Sequence, residues 1–344
     1  MTQLYSLGLG VGTRNSSGSW LEVFYPAPLL NPDDATTTAV VDTLGYAGGN
    51  QVIDLDSAKL ESLANALSAA GALDQAANCK AMAASDRPTV ATLLAADEAP
   101  ASVPEGYLKL HLLSHRLVKP HGTNLTGLFG VLPNVAWTSE GAIDIEELPA
   151  RQLQARIEGR VLSVDCVDKF PKMADYVVPK GVRIANTARV RLGAHIGEGT
   201  TVMHEGFVNF NAGTLGTSMI EGRISAGVTV GEGSDLGGGC STMGTLSGGG
   251  NIVIAVGKES LIGANAGTGI PLGDRCIIES GLYITAGTKV ALLDETNTLV
   301  EHIKARDLAG KNDLLFRRNS LTGAVECKAN KSAIALNEEL HANN

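Results

Sequence analysis

The sequence predicts a mixed α/β domain at the N-terminus, then an all-β parallel solenoid built on a hexapeptide repeat, then a small C-terminal β segment. Three observations carry this. Aliphatic residues recur every six positions from Val178 through Ile184, Val190, Ile196 and Val202 to Val208, and the spacing returns in Ile224–Val230–Leu236, Val256–Ile262 and Leu272–Ile278–Ile284–Val290. Glycine often follows the aliphatic residue, as in Ile196-Gly197, Val230-Gly231 and Ile262-Gly263. A period of six suits neither a lone helix nor a lone hairpin. It suits a solenoid whose flat sides each use one hexapeptide, with the aliphatic side chain inward and glycine at the corner. Aromatics make up only 4% of the chain, as a core of stacked small aliphatics requires.

The 344 residues divide into three expected regions: 1–160 as the α/β domain with its linker, 161–293 as the solenoid, and 294–344 as the C-terminal segment. Residues 1 to about 50 read as strands and turns, with Leu4–Val11 and Trp20–Tyr25 the strand candidates. Gly8, Gly10 and Gly12 spell GxGxG, but no dinucleotide-binding unit follows, so an ordinary strand and turn is favoured. Leu55–Ala70 reads as a helix, with Asp56 or Ser57 as cap, Leu60, Leu63 and Leu67 on one face, and Gly71 as the stop. Further helices are expected over Asp74–Ala84, Pro104–Val118 and Leu148–Glu158. His111 and His115 have ligand spacing, but leucines fill the intervening positions of an HExxH pattern, so packing or surface roles are favoured over a metal site. Strand-like residues resume at Val161–Val167. The solenoid is expected to end near Leu293, and strands turning at Asn297-Thr298 and Leu321-Thr322-Gly323 are placed to cover its open end.

The repeat slips between Val208 and Ile224, between Leu236 and Val256 across Gly248-Gly249-Gly250, and between Ile262 and Leu272. Each slip is read as an insertion bulging from the coil, and chemistry is sought there first. The net charge of −9 and a pI of about 5.3 argue against nucleic-acid and anionic-membrane partners. No apolar run approaches the ~18 residues of a membrane span, and the N-terminus lacks the basic start of a secretory signal, so cytoplasmic residence is the default. The five cysteines form no CxxC and read as reduced packing residues.

The runs MHEGFVNFNAGTLGTSMIEGRISAGVTVG, GGGCSTMGTLSGGG and LIGANAGTGIPLGD, with LFRRNS near the C-terminus, resemble the long-type tetrahydrodipicolinate N-succinyltransferases of actinobacteria and pseudomonads. The resemblance is strong over the second half and looser over the first. It implies a left-handed β-helix, a homotrimer, and succinyl transfer from succinyl-CoA to tetrahydrodipicolinate in diaminopimelate and lysine synthesis. It implies Glu221 of the EGR motif as the catalytic residue, either a nucleophile carrying succinyl as a mixed anhydride or a general base; on local chemistry alone, a surface glutamate paired with Arg223 is the alternative. It places Arg223 at succinyl-CoA, for which the planar guanidinium fork suits a carboxylate. Gly238, Ser241, Ala264, Glu279, Ser280 and Gly287 align with its coenzyme-contacting positions, and Lys304 with Arg317, Arg318, Asn319 and Ser320 at its nucleotide end. Glu205 aligns with a magnesium ligand on the trimer axis. Ala188, however, stands where the family pattern carries a second acidic ligand, which leaves sodium or water as alternatives to Mg²⁺. His204 is the rival base, and His195 is the other coil histidine. Two rival functions remain: another hexapeptide acyl-CoA transferase, such as a sugar N-acetyltransferase, and a non-catalytic solenoid that binds CoA or a metal.

Overall fold

The computed structural model describes residues 3–244 and 252–329, which form two units. The first comprises residues up to Val118, Gly122–Pro171 and Asp175–Val177; the second comprises Lys119–His121, Lys172–Ala174 and the chain from Val178 onward. The boundary expected at residue 160/161 therefore falls later. The strand Val164–Asp168 pairs antiparallel with Val135–Thr138 and so belongs to the first unit, not to the coil.

In the first unit the strands Trp20–Phe24, Ser6–Arg14, Thr89–Leu94 and Gln51–Leu55 form an antiparallel sheet. Helices Ser57–Ala69 and Leu73–Ala83 contribute Leu60, Leu63, Leu67 and Cys79 to a core shared with Leu7 and Leu93 of the sheet. Asp56 caps the first of these helices by accepting from the Lys59 amide, and Leu55 ends the preceding strand instead of opening the helix. Gly8 and Gly10 lie inside the first strand, where a Cβ would meet the ring of Tyr25 at 2.6–2.7 Å. That packing accounts for the glycine spacing.

Two expectations are corrected here. The first 50 residues are not only strands and turns: Asp34–Leu44 is a helix, capped by Asp33 and closed by left-handed Gly45. Its three consecutive threonines mask the helix in a propensity reading. The helix expected to reach Val118 spans Val103–Ser114, because Arg116 turns into the left-handed region and the amide of Leu117 folds back onto the Leu112 carbonyl.

His111 is fully buried in that helix. Its Nδ1 donates to the Tyr107 carbonyl (2.8 Å) and its Nε2 accepts from the Tyr25 amide (3.2 Å), so both ring nitrogens serve packing. The same unit buries Glu22, whose carboxylate accepts from the Thr13 and Tyr176 hydroxyls and is pushed up by burial. Lys109, also buried, is ion-paired with Asp97.

In the second unit the strands stack in parallel on three faces. The first face runs from Arg183–Ile184 through Thr200–Val202, Ser218–Ile220, Ser234–Leu236 and Leu261–Ile262 to Ile277–Ile278. The second runs from Phe207–Val208 to Tyr283–Ile284, and the third from Gly213–Thr214 to Ala255–Val256. Inward hydroxyls and a thiol follow the corner between the third and first faces. Ser234 donates to the Gly257 carbonyl and Ser260 to that of Gly273, where the chain bends, and Cys276 donates to the Lys311 carbonyl, which also accepts from the Gly273 amide. At the C-terminal end Leu314–Arg318 adds in parallel to Ile277–Ile278, and the hairpins Lys289–Leu293/Leu299–Lys304 and Leu314–Arg318/Val325–Ala329 extend the first sheet.

Two of the three slips in the repeat are not insertions. Between Val208 and Ile224 the slots are filled by buried Thr214 and Ile220, and the step from Ile220 to Ile224 takes four residues where other corners take six. Between Ile262 and Leu272 the slot is filled by buried Thr268, and the step to Leu272 is again four. Threonine hid both slots, and the corners are shortened, not bulged. The remaining slip, from Thr242 to Val256, does hold extra residues; Gly248-Gly249-Gly250 lies there, outside the described residues.

Burial holds the His111 imidazole neutral, with its pKa lowered to about 3. The unfolded chain takes up this proton near pH 6.5, so the contribution to stability is complete above that pH and is lost as pH falls toward 3. At pH 5 the loss amounts to about 2 kcal/mol. Urea melts of the wild type should therefore weaken between pH 7.5 and 5 more steeply than those of His111→Gln; parallel pH profiles would refute this.

Candidate active site

The corner between the first and second faces carries most of the candidate residues. A continuous ladder defines it. The amides of Met203, Glu221, Gly237, Gly263 and Glu279 donate to the carbonyls of Ile220, Leu236, Ile262, Ile278 and Phe316, each on the following coil. Glu221 thus stands over Met203 and is followed by Gly237-Gly238, Gly263-Ala264 and Glu279-Ser280. His204 and Glu205 lie on the same corner one coil earlier, and both are exposed.

The shortened step falls at Glu221 itself. Four residues, Met203–Gly206, turn the preceding corner, and Gly237–Cys240 turn the following one; only Glu221 and Gly222 turn this one. The missing pair leaves a notch, and the half-buried Glu221 side chain occupies it. Its Oε2 lies 3.5 Å from where a Gly238 Cβ would stand, so the absence of a side chain at 238 keeps the carboxylate accessible. Gly222 is packed against Cys240, whose backbone oxygen would be 2.8 Å from a Cβ and whose sulfur would overlap it. Burial pushes the Cys240 thiol up to about 12, which makes it a packing group and not a nucleophile. Arg223 follows on the outward side of the second face, exposed, in register with Ser241. No ion pair joins Glu221 to Arg223 among the described residues.

Gly237 and Gly263 let successive corners nest: a Cβ on either would approach the Ala264 or the Ser280 amide within 2.7 Å. The outer positions Gly238, Ala264 and Ser280 therefore line one shallow track of small residues. At its far end the Arg318 amide donates to Glu279 Oε2 (2.6 Å). Arg317 is engaged elsewhere, donating from Nε and Nη2 to Glu326 Oε2, while Asn319 donates to Glu326 Oε1 (2.7 Å). The Arg318 side chain donates to the Gly323 carbonyl (3.1 Å) and is exposed, as is Ser320. Gly287 and Lys304 are not on this corner. Gly287 lies at the turn that follows the second face, and Lys304 on the strand beside it, where Lys289 pairs with Lys304 and the Ala305 amide donates to the Thr288 carbonyl. The second face separates the two groups.

Glu205 does not make a cation site within one chain. It is a single exposed carboxylate, Ala188 offers no donor, and the Arg189 guanidinium donates to the Glu205 carbonyl (2.8 Å). No group of three His, Cys, Asp or Glu able to hold a metal occurs among the described residues. His195 is buried and bridges in parallel to Gly213, which puts it on the third face and not beside Glu221.

A family model described as the middle part of tetrahydrodipicolinate N-succinyltransferase matches residues 132–172, and one described as the hexapeptide repeat of succinyl-transferase matches 253–286. Among curated relatives, the 2,3,4,5-tetrahydropyridine-2,6-dicarboxylate N-succinyltransferase of Pseudomonas paraeruginosa is 69% identical over 341 residues, covering 99% of both chains. The enzyme of the same name from Vibrio cholerae is 62% identical over 346 residues, again with 99% coverage of both. A solved Campylobacter jejuni structure, described as a 2,3,4,5-tetrahydropyridine-2-carboxylate N-succinyltransferase, superposes with a TM-score of 0.89 at 33% identity, covering 97% of this chain and 94% of that one.

The notch depends on Gly222. Gly222→Ala should destabilise the protein by about 1–3 kcal/mol through overpacking against Cys240, read as a lowered midpoint in urea. An unchanged midpoint would mean that the corner relaxes freely.

Proposed function

The chain belongs to the tetrahydrodipicolinate N-succinyltransferases, left-handed β-helix acyltransferases, and on that premise we propose that Glu221 is its reacting carboxylate. The enzyme transfers succinyl from succinyl-CoA to tetrahydrodipicolinate in the diaminopimelate and lysine pathway, giving N-succinyl-2-amino-6-oxopimelate and CoA. Water opens the cyclic imine, and the nitrogen so released receives the acyl group.

The shortened corner is the observation that carries the assignment. It puts a carboxylate in a notch at the head of a track of small residues, where an extended thioester arm can lie against the backbone. Two routes use that placement. In one, a Glu221 oxygen attacks the thioester carbonyl, the C–S bond breaks, and the CoA thiolate leaves and is protonated. The substrate nitrogen then attacks the mixed anhydride and releases the carboxylate. In the other, the nitrogen attacks the thioester directly, Glu221 takes its proton, and the C–S bond breaks to release the CoA thiolate, which is then protonated. Arg223, exposed on the adjoining rung, serves the succinyl carboxylate through its planar fork. Gly238, Ser241, Ala264, Glu279 and Ser280 take the pantetheine arm, and Arg318 with Asn319 and Ser320 the nucleotide end. Glu326 already neutralises Arg317, which makes Arg318 the stronger candidate for a phosphate. Gly287 and Lys304 border the second face from its other side.

The assembly is a homotrimer in this reading, located in the cytoplasm. No helix among the described residues is long and apolar enough to cross a membrane. Magnesium at Glu205 would require copies of that carboxylate from neighbouring subunits, and no chemical step is assigned to it.

Glu221→Gln keeps shape and hydrogen bonding but removes both the nucleophile and the base. Turnover should fall on the order of 10²–10⁴-fold while CoA affinity is retained; near-normal turnover would move the assignment to His204. Light scattering should give a mass near three times 35.6 kDa, and a fully active monomer would refute the trimer.

A further inference from the structure

The first unit buries a carboxylate that no step of the reaction uses. Glu22 lies in the strand Trp20–Phe24, opposite Thr13, and is 7% exposed. Its Oε1 accepts from the Thr13 hydroxyl (2.6 Å) and its Oε2 from the Tyr176 hydroxyl (3.0 Å). The Tyr176 ring is seated among aromatics: His111 edge-on at 5.6 Å, Tyr107 at 6.0 Å and Phe24 at 6.2 Å between ring centres. Tyr176 also stands where the chain passes from one unit to the other. Lys172–Ala174 and the chain from Val178 onward belong to the second unit, while Asp175–Val177 returns to the first.

A glutamine at position 22 would serve the same two hydroxyls without a charge, so hydrogen bonding alone does not call for an acid there. The two protonation states of Glu22 fit their seat differently. The neutral acid needs only hydroxyl partners, and it has them. The anion also needs water or a cation, and burial denies it water. Arg87 meets it through Thr13, to whose hydroxyl its Nη2 donates (2.5 Å). Arg14 is paired with Asp54, and Asp144 accepts from Asn15. The helix Val103–Ser114 presents Tyr107 and the neutral His111, and Asp175 beside Tyr176 adds negative charge. Lifting Tyr176 would admit water to Glu22, which favours the anion far more than the acid. We propose that Glu22 and Tyr176 form a proton-linked latch: residues 175–177 are fastened in the first unit while Glu22 holds its proton, and its ionisation releases them.

Burial pushes the Glu22 carboxyl above its ordinary value of 4.5, outweighing the opposing hydrogen bonds from Thr13 and Tyr176 and the charge of Arg87. A raised carboxyl contributes stability that is complete below the unfolded value and is lost as pH rises through the folded one. This is opposite in sense to His111, whose contribution is lost as pH falls.

Native-state proteolysis of the full chain reads the latch, because chymotrypsin cuts after Tyr176 only when the segment opens. Cleavage there is measured between pH 5 and 8.5 and divided by cleavage after Tyr25, which is fully buried in the same unit. In the wild type this ratio should rise with pH, by up to about tenfold per pH unit until Glu22 is ionised. In Glu22→Gln it should stay flat, and the urea midpoint of that variant should gain on the wild type as pH rises. Tyr176→Phe, which keeps the ring and the cleavage site but loses the hydroxyl, should be cut faster than wild type throughout. A flat wild-type ratio overturns the latch, even if the urea midpoints diverge, since Glu22 would then be a buried acid and no more. A ratio that rises equally in Glu22→Gln overturns it too. If Glu22→Gln does not fold, the wild-type ratio and the Tyr176→Phe comparison decide, and equal cleavage of Tyr176→Phe and wild type counts against the latch.

Discussion

The structure of the second unit depends on one constraint: every coil must hand its backbone hydrogen bonds to the next coil at the same three places. The ladder Met203–Glu221–Gly237–Gly263–Glu279 is that constraint made visible at one corner. Where the chain bends, carbonyls are left over, and the inward Ser234 and Ser260 take them up without help from solvent. Stacked aliphatics provide the apolar interior, but the corner bonding fixes which residues share an edge. It is what places the small residues at 238, 264 and 280 in one line.

The carboxylate proposed to react stands at a local irregularity of an otherwise regular scaffold. A full-length corner at Glu221 would fill its own surroundings with two more residues, as Met203–Gly206 does one coil earlier. Omitting them costs close packing between Gly222 and Cys240, tolerable only because position 222 has no side chain. Thr242, in the inward slot of the following coil, donates to the Arg223 carbonyl and accepts from the Ser225 amide, steadying the strand that leaves the notch. Rigid coils on either side then hold the carboxylate in place, as a reacting group requires.

The solenoid was legible from its aliphatic period, and the EGR motif drew attention to the corner that proves to be shortened. The meaning of the slips was not. A search for Val, Ile and Leu passes over Thr214 and Thr268, which are buried because their hydroxyls find partners: Thr214 with Thr200 (2.7 Å) and Thr268 with the Ile270 carbonyl (2.7 Å). A shortened corner flanked by threonine therefore looks like a bulge. The packing of Phe207 against Arg189 and Arg191 was hidden for another reason: the ring lies on the next coil, so its proximity to the arginines follows from the register and not from spacing along the chain. In the first unit, helix Asp34–Leu44 was lost behind its threonines.

The irregular steps share an arithmetic property with evolutionary weight. Ordinary corners advance by six residues, Ile220 to Ile224 and Thr268 to Leu272 by four, and Thr242 to Val256 by fourteen. All are even. Side chains along an extended strand alternate between two sides, so an even change in length returns the next strand with the same residues facing in. An odd change inside a strand would turn its aliphatics outward and its polar residues inward. Gain and loss of sequence in such a protein should therefore be filtered by parity before it is filtered by size, and the spacing of its gaps among relatives should carry that imprint.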